Sequence, residues 1–208
     1  MNAQGAADLA LLLAVDCSSS IDAGDYLLQM RGIASALRQD AAYSAVQASK
    51  YQQIALALMQ WSTSSRQVIS LPWRLLRTRA DFQDAALAIE AMPRDSVPGG
   101  TGMAAALNFA VASLRQLPFA AVRHVVDVSG DGAENDGGDV PMARAAALGL
   151  GIVINGLPVI SGSELLLAYY SDEVIGGPGA FVEPALNIMA FQEAMKRKLL
   201  RELQPLST

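Results

Sequence analysis

The sequence has a single cysteine, Cys17, and a single histidine, His124, in 208 residues. One cysteine excludes a disulfide framework. One histidine excludes multi-histidine zinc sites and argues against a histidine-based catalytic triad. There is no basic excess: 15 Lys and Arg stand against 20 Asp and Glu, a net charge of -5. That balance excludes nucleic acid as a partner gripped through its phosphates, which requires basic patches. The longest strongly apolar run, residues 9–15, is far shorter than the roughly 20 residues of a membrane helix, so no transmembrane segment is expected. No basic region followed by an apolar stretch opens the chain, so no signal peptide is visible. Residues 1–7 are small and polar and read as a flexible segment. They look like the end of a trimmed mature chain, which points to an exported or periplasmic protein.

What is present is apolar: 52% of residues are hydrophobic, ample for a large core. The length predicts one domain, over residues 8–204, with a tail at 205–208. Strand-like and helix-like stretches alternate throughout. Residues 8–15 read as a buried strand ending at Asp16. Tyr26, Met30, Ile33 and Leu37 then recur at helical spacing. Strands are expected at 53–61, at 66–73 (an edge strand, because of Pro72), at 122–128, at 152–157 and at 180–182. Helices are expected at 81–92, 101–116, 140–148, 164–170 and 188–203. This alternation predicts an α/β fold, a doubly wound and mostly parallel sheet with helices on both faces. Ligands of such sheets bind beyond the carboxyl ends of the strands, where strand order reverses.

Three loops fall at such ends. The first is Asp16-Cys17-Ser18-Ser19-Ser20, a carboxylate and hydroxyls directly after a strand. Hard oxygen donors of this kind suit a divalent cation, Mg²⁺ above all, and equally suit the capping of the following helix. The second, Pro98-Gly99-Gly100-Thr101-Gly102, puts a hydroxyl at a helix start. The third, Ser129-Gly130-Asp131-Gly132, puts an acid just past a strand, where an Asx turn is also common.

Taken in order, Asp16-x-Ser18-x-Ser20, Thr101 and Asp131-Gly132 resemble the metal-ion-dependent adhesion site of von Willebrand factor A domains. The phrases Asp127-Val128-Ser129-Gly130-Asp131-Gly132, Ile154-Asn155-Gly156-Leu157-Pro158 and Val174 to Val182 are similar to a bacterial family of stand-alone A domains of unknown function. The resemblance spans residues 8–203 and implies a Rossmann-like three-layer sandwich. It further implies that Ser18, Ser20 and Thr101 offer hydroxyls to Mg²⁺, Mn²⁺ or Ca²⁺, with Asp16 and Asp131 acting directly or through water. A Glu or Asp of a partner protein would complete the site, making the chain a binding module and not an enzyme. The last helix would shift as coordination changes. Cys17 departs from the pattern and reads as packing.

A rival reading comes from Gly130 to Asp136, which also resembles the acidic motif of haloacid dehalogenase-type phosphatases. Asp16 would then be a nucleophile, with Asp131 and Asp136 holding Mg²⁺. Ser18 stands where that reading needs an acid, and only Lys50, Lys196 and Lys198 are available to neutralise phosphate.

Other residues have simpler expectations. Asp127 lies in an apolar strand and requires a hydrogen-bonding partner. His124, Trp61 and Trp73 read as packing residues, and Tyr169 and Tyr170 as partly exposed packing. Lys196, Arg197, Lys198 and Arg201 read as the solvated face of the last helix. Glu134, Asp136 and Asp139 would tune metal affinity or keep a loop soluble.

Overall fold

The computed structural model describes residues 6–95 and 99–204. Residues 1–5, Pro98 and the 205–208 tail lie outside them. β1 (Ala7–Asp16) is followed by α1 (Ala23–Leu37), α2 (Asp40–Gln47), β2 (Ile54–Trp61), β3 (Gln67–Leu76) and α3 (Arg79–Glu90). Then come α4 (Met103–Arg115), β4 (Ala121–Gly130), α5 (Val140–Gly149), β5 (Ile152–Pro158), α6 (Glu164–Tyr169) and α7 (Phe191–Leu203). The five strands form one sheet in the order β3-β2-β1-β4-β5. β1 is parallel to β2 and β4, and β4 to β5, while β3 runs antiparallel at one edge.

β1 is buried along nearly its whole length because both faces are covered. Its side chains alternate. Leu9, Leu11, Leu13 and Val15 join the core under α1, α3 and α7, whereas Ala10, Leu12 and Ala14 face the core under α4 and α5. Small residues are frequent on the second face, where Ala55 and Ala57 of β2 share one core with Ala104, Ala106 and Ala110 of α4. That lets the helix lie close to the strands.

β3 occupies the edge expected from Pro72. Leu56 pairs with Arg74 and Leu58 with Leu71, so Pro72 and Trp73 together oppose Ala57 in a bulge. A residue without an N–H is tolerated there. Ala7, expected in a flexible lead-in, already belongs to β1. Residues 180–182 do not form a strand. Val182 makes one isolated parallel bridge to Gly156, and the segment runs beside β5 through a few hydrogen bonds, Gly156 amide to Phe181 carbonyl and Glu183 amide to Gly156 carbonyl among them, without a continuous ladder. The last helix begins as a 3₁₀ turn, Ile188–Ala190, before α7. Among the described residues no helix is long and apolar enough to cross a membrane.

The basic cluster of α7 is not a uniformly solvated face. Lys198 is fully buried, with its ammonium 2.5 Å from Asp127 Oδ1 and 2.6 Å from Glu202 Oε1. Asn155 on β5 donates to the same Glu202 oxygen at 2.9 Å. Asp127 thus has the partner its burial demanded, supplied by the helix that packs across β4. Arg201 stacks on Phe181, 3.8 Å from the ring centre.

Candidate metal centre

The sheet order reverses between β1 and β4: the chain runs outward through β2 and β3, then returns to add β4 and β5 on the other side. The loops after β1 and β4 therefore flank the topological switch point. Asp16 ends β1 and Asp131 follows the last residue of β4.

Four of the five residues singled out in the sequence are joined by hydrogen bonds. Asp16 Oδ1 accepts from the Ser18 amide at 2.7 Å. The Ser18 and Ser20 hydroxyls lie 3.1 Å apart. Ser20 donates to Asp131 Oδ1 at 2.6 Å across 111 residues of sequence. Asp16 and Ser18 are buried, Ser20 is exposed and Asp131 is half-buried, so the row runs from the core to the surface. The fifth, Thr101, is buried beside this row. A Cβ on Gly132, next to Asp131, would stand 3.1 Å from its hydroxyl.

The loops are also tied to one another. Ser19 donates through its amide and its hydroxyl to the Gly99 carbonyl, at 3.2 and 2.9 Å. Asn135 accepts from the Thr101 amide at 2.7 Å through its side chain and donates its own amide to the Thr101 carbonyl at 3.1 Å. Glu134 accepts from the Ala104 amide at 2.8 Å, Asp136 from the Ser64 amide, and Asp139 caps α5 through Met142. These acids therefore fasten backbone. They do not converge on a cation, and Asp136, which the phosphatase-like reading needs at the metal, is committed to Ser64. Two of the three lysines it would use are committed as well, Lys198 to the buried pair with Asp127 and Lys196 to Glu193, while Lys50 stands over the Tyr51 ring, just ahead of β2.

Sequence reasoning missed two clamps. Arg94 donates to the carbonyls of Cys17 and Ser18, at 3.1 and 3.0 Å, and so holds the first loop from outside. Asn135 holds Thr101. Neither carries a motif, because both act on backbone atoms. Cys17 packs as expected, its thiol within 3.2 Å of Gln60 Oε1 and pushed up to about 12, mainly by burial, so it stays protonated. His124 lies at the opposite end of β4 and takes no part; burial lowers its pKa. Tyr170, expected to be partly exposed, is fully buried.

The donor set fits a hard cation. Asp16 Oδ2 is buried and has no hydrogen-bond partner among the described residues. Burial pushes the Asp16 carboxyl up to about 7 against the pull of the Ser18 hydrogen bonds, and the Asp131 charge adds to the rise. An uncompensated buried carboxylate is costly, and a divalent ion removes that cost. Among the described residues no group of three or more His, Cys, Asp or Glu converges. Any metal here must be held by hydroxyls together with the two carboxylates.

A family model described as "Protein of unknown function (DUF1194)" matches residues 6–207. No curated protein matches the sequence. Solved structures do. An aerotolerance-related membrane protein from Bacteroides fragilis aligns with 93% of this chain and 99% of its own, at 19% identity and a TM-score of 0.62. BatB, a conserved hypothetical protein from Bacteroides thetaiotaomicron, aligns over 93% and 98%, at 18% identity and a TM-score of 0.64. Proximal thread matrix protein 1 from the mussel byssus, solved with a zinc-occupied MIDAS motif, aligns with 95% of this chain at 17% identity and a TM-score of 0.67. The alignment takes in 46% of the mussel chain. At such identities the likeness is one of fold, and the fold is that of a von Willebrand factor A domain.

Proposed function

Because the chain belongs to the DUF1194 family and folds as a von Willebrand factor A domain, we propose that it is a non-enzymatic binding module that captures an acidic side chain of a partner protein through a bound divalent cation. Asp16, Ser18, Ser20, Thr101 and Asp131 would hold the ion, with Mg²⁺ favoured by the hard oxygen donors and Mn²⁺ or Ca²⁺ as substitutes. When bound, the ion supplies the positive charge that attracts a Glu or Asp of the partner. The observation that carries the reading is the buried, unpartnered Asp16 Oδ2 beside the row of hydroxyls that ends at Asp131. The zinc-occupied MIDAS of the mussel protein supports it by analogy of fold.

The residues have distinct tasks. Three hydroxyls donate oxygen without charge, so the bound ion keeps its attraction for an incoming carboxylate. Asp131, half-buried and hydrogen-bonded to Ser20, orients that hydroxyl and brings charge to the rim. Arg94 and Asn135 fix the backbone of the first and second loops.

The test is a calorimetric titration of Mg²⁺ and Mn²⁺ into metal-stripped protein, wild type and Asp131→Ala, with hydrolysis of a generic phosphate ester followed in the same samples. One-site binding that Asp131→Ala weakens strongly, without turnover, is the expected result. Turnover that depends on the metal would move Asp16 to a nucleophile's role and sink the binding-module reading. A lack of binding in the wild type would sink the cation site. A milder effect is expected of Asn135→Ala, which leaves the Thr101 amide without its acceptor: roughly a 10-fold loss of Mg²⁺ affinity, in the range typical of residues that orient ligands. Unchanged affinity would mean that Thr101 is held by its neighbours alone.

A further inference from the structure

Tyr170 lies directly after α6 and opens a π-helical turn, Tyr170–Val174, in which the Ile175 amide donates to the Tyr170 carbonyl at 3.0 Å. Such turns are rare and concentrate at functional sites. Its side chain is fully buried, yet its hydroxyl has no hydrogen-bond partner among the described residues. Phenylalanine would fill the same space without the cost of burying an unpartnered hydroxyl.

The sheet is shaped to let this ring pass. A Cβ on Gly156 of β5 would come within 2.6 Å of Tyr170 Cδ1. A Cβ on Gly130 of β4 would come within 3.1 Å of the Tyr170 hydroxyl oxygen. Neither strand could carry a side chain at these positions without moving the tyrosine. The ring therefore crosses from β5 to β4 and ends at the switch point. The same Gly130 position is 2.8 Å from Asp16 Oδ2. Two buried, unpartnered polar atoms thus approach one point, the place a Cβ on Gly130 would take.

We infer that Tyr170 is a positioning residue of the candidate cation site: its hydroxyl donates to Asp16 Oδ2 through one water and sets the direction in which that carboxylate faces. The inference rests on the cation-site reading and deepens it. The chemistry is one-sided. Burial first, and the Asp16 charge next, hold the phenol well above its ordinary pKa, so it stays a donor. A carboxylate oxygen has two lone pairs, so one can accept from that water while the other remains free for the ion. The preceding residue works on the same loop: the Tyr169 hydroxyl accepts from the Glu134 amide at 3.2 Å.

The experiment is Tyr170→Phe, which keeps the ring and deletes only the hydroxyl. Calorimetric titration of Mg²⁺ is expected to show affinity reduced about 10- to 100-fold, while thermal unfolding of the metal-free variant stays level with wild type or rises. A Mg²⁺-induced change in the near-ultraviolet circular dichroism of tyrosine should be present in the wild type and diminished in the variant. Equal affinity in the two proteins overturns this inference and leaves the cation site standing. Lower affinity together with an equal loss of metal-free stability also overturns it, since the hydroxyl would then be structural. Absence of Mg²⁺ and Mn²⁺ binding in the wild type overturns both.

Discussion

Replacing Lys198 with methionine is expected to cost about 3–5 kcal/mol of folding stability near neutral pH. Among the described residues the ammonium is the only cation in contact with the carboxylates of Asp127 and Glu202, and all three groups are buried. Without it, two buried carboxyls face one another with no cation between them, and their charged forms lose the compensation that burial demands. Urea denaturation at about pH 5 and about pH 8 should therefore show a larger loss at the higher pH. An equal loss at both would mean that methionine fails through packing alone.

Wild type carries a smaller effect of the same origin. Burial, reinforced by the Glu202 charge and opposed by Lys198, pushes Asp127 up to about 7. The folded chain therefore holds that proton more tightly than the unfolded one. The stability so gained is fully present below the ordinary carboxyl pKa of about 4 and is lost as pH rises through about 7. Asp127→Asn keeps the Lys198–Glu202 pair and removes the titration. It should gain on wild type by about 1–3 kcal/mol as pH rises from about 4 to about 8. A constant difference across that window would show that Asp127 stays ionised in the folded state.

This triad also marks what the sequence concealed. Asp127 was legible as a buried carboxylate in need of a partner, because it interrupts an apolar strand. Its partner was not, because Lys196, Arg197, Lys198 and Arg201 look alike in composition and differ only in helical phase. Lys198 and Glu202 fall on the stripe of Phe191, Met195 and Leu199, so periodicity held the signal and charge masked it. α2 escaped notice for a related reason: it is eight residues long and buries only Ala42 and Val46. By contrast, β1 and the α1 stripe were plain, since long buried elements repeat their pattern many times.

The candidate site divides in the same way. Asp16, Ser18, Ser20 and Asp131 could be read from order and spacing, and the fold joins them at the switch point by hydrogen bonds. Tyr170, Arg94 and Asn135 could not, because their relation to the site exists only in three dimensions. Tyr170 touches the site from β5's side of the sheet, and Arg94 and Asn135 bind carbonyls and amides that any sequence would supply. Glu134 and Asp136 were read as solvating or metal-tuning acids for the same reason. A carboxylate that fastens backbone is indistinguishable in sequence from one that waits for a cation.

Asp16→Asn should separate function from stability at this site. Asparagine keeps an oxygen to accept from the Ser18 amide and places an amide group where Oδ2 now lies without a partner. It removes a buried charge and relieves its repulsion with Asp131. The metal-free variant is therefore expected to be about 1–3 kcal/mol more stable than metal-free wild type at about pH 8, because asparagine has no charge to desolvate. Its Mg²⁺ affinity should fall by at least about 100-fold, because a ligand loss exceeds what orienting residues contribute. Saturating Mg²⁺ would then raise the melting temperature of wild type and leave the variant unchanged, since only a ligand bound to the folded state shifts unfolding. A structural carboxylate predicts the reverse: a less stable variant, with Mg²⁺ indifferent to both. Gain of stability with loss of metal response is the signature of a residue placed for binding at the expense of the fold.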